Sequence, residues 1–362
     1  MLPRADRVGH DVRMLAVRQR PLADRLDAAT VSSPDVEAVA RAVFTTVAAD
    51  VPFAFACLAT VDPASELITQ AFKSHPLPMG DEDFSAAEYG APDVNQFAEI
   101  ARRPVPVGVL SVDTGGRVDE CRRHREFMAP VFGFTDELRL SCRAGGTTWA
   151  AIALYRGPGE PAFTRQDGEL LAGVHELVAD RVRRALFASA PGGTANGGPA
   201  VLVVDGQDRV TSTTAAVEQH IDELGGWDHG SLPANLLALT ALVRGSGQPA
   251  ATRVRGRSGR WLALQALALD GPPGDRSLVV SIDTAPASAV GQMRLAARGL
   301  TVREQDVARL VLQGASTKDI AASLFLSPHT VQDHLKAIFA KLGVGSRREM
   351  IAQLVLVDEQ PA

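Results

Sequence analysis

His329, Gln332, Asp333 and Lys336 fall at i, i+3, i+4 and i+7, the repeat of one narrow face of an α-helix. These side chains are of the kind that read base edges in the major groove of double-stranded DNA. Gln332 can bond adenine N6 and N7 together, Lys336 can reach guanine O6 and N7, and Asp333 can accept from cytosine N4. His329 continues the stripe one turn toward the N-terminus. Across the helical wheel, Val331, Leu335, Ile338 and Leu342 make an apolar stripe that calls for a protein core. Thr330, His334 and Lys341 lie beside that stripe, where a phosphate is nearer than a base. A polar face alone is commonly just solvated, so the neighbouring elements have to decide between the two readings.

Caps mark those elements. Thr301 and Glu304 have the spacing of a reciprocal capping box, Val307, Leu310 and Val311 give a buried face, and Gly314 is a natural stop. Ser316 and Asp319 repeat the box for a short helix whose N-terminus, with Thr317 and Lys318, suits an anion such as phosphate. Ser327 followed by Pro328 then opens the two-faced helix only a few residues later. Two helices joined by so short a turn must cross steeply, which is a helix-turn-helix. Ser346 and Glu349 make a further box, before an apolar edge of Met350, Ile351, Leu354 and Val355.

On these positions, residues 299–358 resemble the LuxR-type (NarL/FixJ-like) DNA-binding domain. The resemblance is carried by Leu300, Thr301, Arg303, Glu304, Gly314, Ser316, Ile320, Ala321, Ser327, Thr330, Val331 and His334, and then by Lys341 to Val344, Ser346 and Arg347. Region 4 of sigma factors shares part of this core, but "KLGVGSRREMIAQL" favours the LuxR type. The resemblance implies an all-α four-helix domain, a double-stranded DNA partner, and a fourth helix used for dimer contacts. It therefore makes Met350, Ile351, Leu354 and Val355 the expected contact edge of a homodimer. Many relatives carry Lys or Asn where Gln332 and Asp333 stand, so the base sequence they read does not transfer, and Asp333 could instead hold Lys336. The Asp and Lys pattern of a phosphoreceiver and the "GxxxxGK[ST]" loop of large LuxR-type regulators are both missing upstream.

At 362 residues the chain is long enough for two or three domains. Its net charge of −5 argues against a generally basic nucleic-acid binder, but from Arg294 onward nine Lys/Arg face seven Asp/Glu, a local excess of +2. A hydrophobic fraction of 46% is ordinary for a globular protein, and no apolar run or signal core predicts a membrane span or export, so a cytoplasmic location is expected. Cys57, Cys121 and Cys142 are odd in number and widely spaced, which predicts reduced thiols and no metal site. His75 and His175 are more simply surface or core residues than haem ligands. Trp149 and Trp261 read as core or cavity wall.

Composition divides the rest. Residues 1–30 read as an N-terminal helical extension and 31–187 as an α+β block in which Ser33-Pro34 opens a helix over Val36 to Val47. In the same block Arg117 to Phe132 reads as helical, and Thr164, paired with Asp167, caps one long helix to Phe187. The Gly-rich 188–199 is a linker, 200–285 a second α+β block, and 286–298 a connector. In the pattern of "DELRLSCRAGGTTWAAIALYRGPGEPAFTRQDGELL" the first block resembles GAF domains, and with "VLVVDGQDRVTSTTAA" and "SGRWLALQALAL" the second resembles PAS domains. Such domains often bind small molecules, but no cofactor is implied, since neither a flavin-linking cysteine environment nor an "NKFDE" run is present. The expected protein is a multi-domain, signal-responsive DNA-binding transcription regulator with no catalytic residues. Its rivals are a protein-interaction module whose helix-turn-helix has lost DNA binding, and a hydrolase with a regulatory tail. The hydrolase lacks a recognisable nucleophile elbow or phosphate loop.

Overall fold

The computed structural model describes residues 21–188, 198, 200–271 and 274–355. The first 20 residues of the expected extension and almost all of the linker 188–199 lie outside this range. The chain forms two compact units that divide at Thr284/Ala285, except that Ala144–Thr147 group with the second. Among the described residues no helix is long and apolar enough to cross a membrane.

The first unit opens with a helix over residues 21–30, α1, followed by α2 (Val36–Val47). The buried positions of α2 are Val36, Val39, Ala40, Val43 and Val47, as the spacing predicts, but its cap is Asp35, not Ser33. The Asp35 carboxylate accepts the Ala38 N–H at 2.8 Å, so Pro34 precedes the helix instead of opening it. There follow β1 (Phe55–Val61), β2 (Ile68–Lys73), α3 (Glu82–Tyr89), α4 (Phe97–Ile100), β3 (Val107–Val109) and α5 (Leu110–Asp113). The expected helix from Arg117 to Phe132 is three short pieces: a 3-10 turn (Val118–Glu120), a π turn (His124–Met128) and α6 (Ala129–Phe132). Asp93 governs that break, because its carboxylate accepts the N–H groups of Arg122 and Arg123, each at 2.9 Å, and restarts the helix there.

Strands β4 (Asp136–Ala144) and β5 (Thr147–Arg156) turn through Gly145 and Gly146, whose φ values of 61° and 79° favour glycine. The strand order is β2-β1-β5-β4-β3. Thr164 and Asp167 form the expected reciprocal cap, but the long helix is broken into α7 (Arg165–Ala172) and α8 (His175–Phe187). These two have different partners: α7 packs on β3 and α8 on α2.

Beneath the helices two buried arginines share three buried carboxylates. Arg139 bonds Glu88 at 2.6 Å and Glu137 at 2.8 Å, while Arg123 bonds Glu137 at 2.5 Å and lies 3.4 Å from Asp93. Burial acts to raise the Glu137 carboxyl, but Arg123 and Arg139 outweigh it and hold it at about 2. Removing one partner would strand a charge in the interior.

The second block of this unit contains β6 (Ala200–Val204), β7 (Val210–Thr213), α9 (Val217–Glu223), α10 (Ala234–Ser246), β8 (Ala250–Arg255), β9 (Trp261–Ala268) and β10 (Leu278–Thr284). Its sheet runs β7-β6-β10-β9-β8, the order of the first sheet when each block's strands are counted from one. The two blocks are joined by buried polar contacts. Asp62 pairs with Arg253 at 2.6 Å, Ser65 bonds Thr252 at 3.0 Å, and the Asn235 amide donates to Thr69 O at 3.1 Å. Helix α10 also lies against α3 so closely that a Cβ on Gly245 would stand 2.6 Å from Tyr89 O.

Replacing a helical glycine by alanine ordinarily stabilises by up to about 1 kcal/mol, and Gly245 stands in the last turn of α10. Gly245→Ala should do the reverse, costing about 1–3 kcal/mol as α10 is driven from α3. Urea unfolding of the full chain checks this, and a variant at least as stable as the parent contradicts the close approach.

Candidate nucleic-acid interface

From Ala285 onward the described part of the second unit is all-helical: α11 (Ala287–Ala297), α12 (Val302–Leu312), α13 (Thr317–Ser323), α14 (Pro328–Leu342) and α15 (Arg347–Val355). Both expected reciprocal caps form, Thr301 with Glu304 and Ser316 with Asp319. Ser327 caps α14 by accepting the Thr330 N–H at 3.0 Å, and Gly343 ends it in the left-handed conformation. The Ser346 box is only half reciprocal. Its Oγ accepts the Glu349 N–H, but the Glu349 carboxylate reaches Gly345 N–H.

Val331, Leu335, Ile338 and Leu342 are buried in a core shared with Val307, Val311 and Ile320. That fixes which side of α14 remains outside. Gln332 is exposed there, as are His329 and Lys336, whose side chains are 88% and 79% accessible. The stripe is not a row of independent groups. Asp333 lies 3.0 Å from His329 Nδ1 and 3.9 Å from Lys336 Nζ, so one carboxylate is flanked by two groups able to carry positive charge. Such exposed pairs are worth about 0–1 kcal/mol, so a base edge could displace them at little cost.

The expected phosphate group separates. Lys318 is exposed and Thr317 half-buried at the start of α13, while His334 is half-buried on α14. Thr330 is half-buried with its hydroxyl 2.8 Å from that of Ser327, within the cap. Lys341 departs furthest from expectation. Its ammonium bonds Glu304 at 2.6 Å and joins the end of α14 to the start of α12, so it serves first as an internal strut.

The expected dimer edge also changes. Met350 and Leu354 are buried in the domain's own core, and Ile351 is half-buried against it. Helix α11 packs on α15, and a Cβ on Gly291 would come within 3.0 Å of Leu354 O. Met350 and Leu354 are therefore not available as the outer edge of α15. The side chain of Val355 lies outside the described residues.

Two residues outside the expected site position it. Arg303 donates to Leu324 O at 2.7 Å and ties the turn between α13 and α14 to α12. Arg347 donates to Ala315 O, fixing the start of α15. In the turn itself Phe325 takes a φ of 54° and is 96% exposed, while Leu324 and Leu326 pack inward. Arg303 and Arg347 belong to the pattern that resembles the family, but their roles rest on contacts distant in sequence, and that of Phe325 on one backbone angle.

A capped helical pair with a short turn, its second helix apolar inside and polar outside, defines a helix-turn-helix protein. Residues 298–354 match the model of the family described as bacterial regulatory proteins, luxR family. The spore germination protein GerE of Bacillus subtilis is 40% identical over 60 residues, 17% of this chain and 81% of that one. The chain belongs to this LuxR family. An HTH-type transcriptional regulator of Mycobacterium bovis is 52% identical over 64 residues, and that match spans 17% of this chain but only 7% of the relative. Among solved structures, the phage VqmA-DPO complex is similar over 45% of this chain and 83% of that one, at 20% identity and a TM-score of 0.26. That score is too low to bear on the fold.

Burial acts to raise the Glu304 carboxyl, but bonds from Lys341 and Thr301 outweigh it and hold the group below its ordinary 4.5. A carboxyl so lowered adds stability above its unfolded pKa and loses it as pH falls through the folded one. The fragment Ala285–Ala362 should therefore lose stability as pH falls below 4.5. Lys341→Met should cost about 1–3 kcal/mol at neutral pH and flatten that acid loss. Denaturant melts at neutral and acid pH check it; parallel pH curves for the two proteins would exclude the strut.

Proposed function

We propose that this chain is a sequence-preferring, double-stranded-DNA-binding transcriptional regulator. The observation that carries the reading is α14: in a LuxR-family helix-turn-helix its apolar stripe is buried and Gln332, Asp333, Lys336 and His329 are left outside. These groups would meet base edges, with Lys318 and Thr317 at phosphate and His334 beside them. Thr330 and Lys341 would serve phosphate only secondarily.

The reading extends to control of DNA binding by the first unit, with a GAF-like first block and a PAS-like second block. Two antiparallel sheets of one strand order, each with helices inserted between its strands, support that pair of assignments. A homodimer on DNA is part of the same proposal, because one short recognition helix contacts few base pairs. Two half-sites about one helical turn apart would follow.

Binding-site selection on random DNA should return a preferred sequence, and its affinity should fall steeply with added salt. Against that sequence Lys336→Ala should cost about 1–3 kcal/mol and blur one base pair. Lys318→Ala should instead weaken preferred and random DNA by a similar factor. Equal losses on both DNAs for Lys336→Ala would remove it from base reading.

The fragment for testing control begins at Ala285, because α11 packs within the second unit. It should select the same sequence as the full chain. A different preferred sequence would show that the first unit takes part in recognition. Identical binding of one and two chains to single and paired half-sites, with no cooperativity, would remove the homodimer.

A further inference from the structure

The first unit holds a cavity that DNA reading leaves without a role. Its volume, as room for the centre of a water molecule, is about 60 Å³, several times the ~10–15 Å³ that one water needs. Phe55, Phe84, Phe127 and Tyr155 face it from the first block, and Ala234 and Ala238 of α10 complete the wall from the second. The aromatic side is fixed in place. The Phe134 ring stacks 5.7 Å from Phe55 and 4.8 Å from Tyr155, and Arg139, held by two buried carboxylates, lies 5.6 Å from the Phe84 ring centre.

The charged residues lining the cavity are Lys73, Asp81 and Asp83. Lys73 and Asp81, 2.9 Å apart, also line a larger open cleft of about 850 Å³. The ion pair, with Leu77 and Ala234, thus belongs to the wall shared by the cavity and the cleft, while Phe55, Phe84, Phe127 and Tyr155 line the cavity alone.

From this arrangement we propose that the cavity binds a small, uncharged aromatic molecule of one or two rings, entering past Lys73 and Asp81 and touching α10. Ring faces and alanine methyls accommodate a flat apolar body. The charge on the shared wall excludes anions: Lys73 is already bonded to Asp81 and lies 3.7 Å from Asp228, and two lining carboxylates outnumber one ammonium. An entering carboxylate would lose its hydration and gain no free cation. A neutral N–H or O–H can donate to Asp81 without that cost. Because both blocks supply the wall, an occupant also adds contacts across their junction. The inference deepens the control role proposed above and shares its premise that the first unit is the responsive part.

Indole serves as the neutral probe and indole-3-carboxylate as its anionic counterpart, on the full chain with methionine methyl groups labelled for NMR. Met79 and Met128 line the cavity, whereas Met293 and Met350 are buried in the second unit. Indole should shift Met79 and Met128 but not Met293 or Met350, and should half-saturate at a concentration at least about tenfold below indole-3-carboxylate. Ala238→Leu, which narrows the cavity from α10, should weaken indole by about tenfold or more with an unchanged circular-dichroism spectrum. Should that variant fail to fold, the methyl shifts of the unaltered chain still decide. No shift at Met79 and Met128 up to the solubility of indole, or equal binding of the carboxylate, overturns the proposal. DNA affinity measured on the same samples separates the two readings: indole bound at these methyls with DNA affinity unchanged upholds the cavity and removes the control role.

Discussion

The second unit depends on burying one side of α14 while the other stays in water. Val331, Leu335, Ile338 and Leu342 are each at most 5% exposed, and burial of such side chains contributes about 1.5–3 kcal/mol apiece. The pairs on the outer stripe contribute about 0–1 kcal/mol each. Apolar packing therefore sets the rotation of the helix, and the polar stripe has almost no influence on it. Gln332, Asp333 and Lys336 can then vary among proteins of the same fold without disturbing the core, so burial fixes which positions face outward and not what they contact.

In the first unit the corresponding constraint is charge. Arg123 and Arg139 each need carboxylates from separate elements, Asp93 and Glu88 from the helical region and Glu137 from β4, so these parts cannot shift independently. Asp62 and Arg253 extend the same logic across the two blocks, which form one unit despite the Gly-rich sequence between them. A binding event at their junction would be felt by both sheets.

What could be read from the sequence was local. The caps at Thr164, Thr301, Ser316 and Ser327, the apolar stripe of α14 and the hairpin at Gly145-Gly146 all follow from residues within one or two turns of each other. Longer-range competition explains the failures. Thr164 to Phe187 has one helical periodicity, but α7 and α8 pack on different elements and the helix breaks between them. At Ser33-Pro34 the competitor is local, since Asp35, next to the proline, supplies the capping carboxylate. Lys341 had the wheel position of a phosphate contact, and its partner Glu304 lies 37 residues earlier. The edge of Met350 and Leu354 was legible as apolar, but whether an apolar edge meets its own core or a second chain is decided by tertiary packing.

The packing of α11 sets where the second unit begins. A connector between domains would ordinarily be free to swing, yet α11 packs on α15 and α12 as part of the second unit. Strand β10 ends at Thr284 and α11 begins at Ala287, which leaves Ala285 and Pro286 between them. Two residues reach at most about 7 Å, and the proline ring fixes one of their φ angles. Strand β10 lies in the middle of its sheet, between β6 and β9. The covalent junction between β10 and α11 is thus two residues, one of them a proline, where a Gly-rich tether would give the backbone far more conformations.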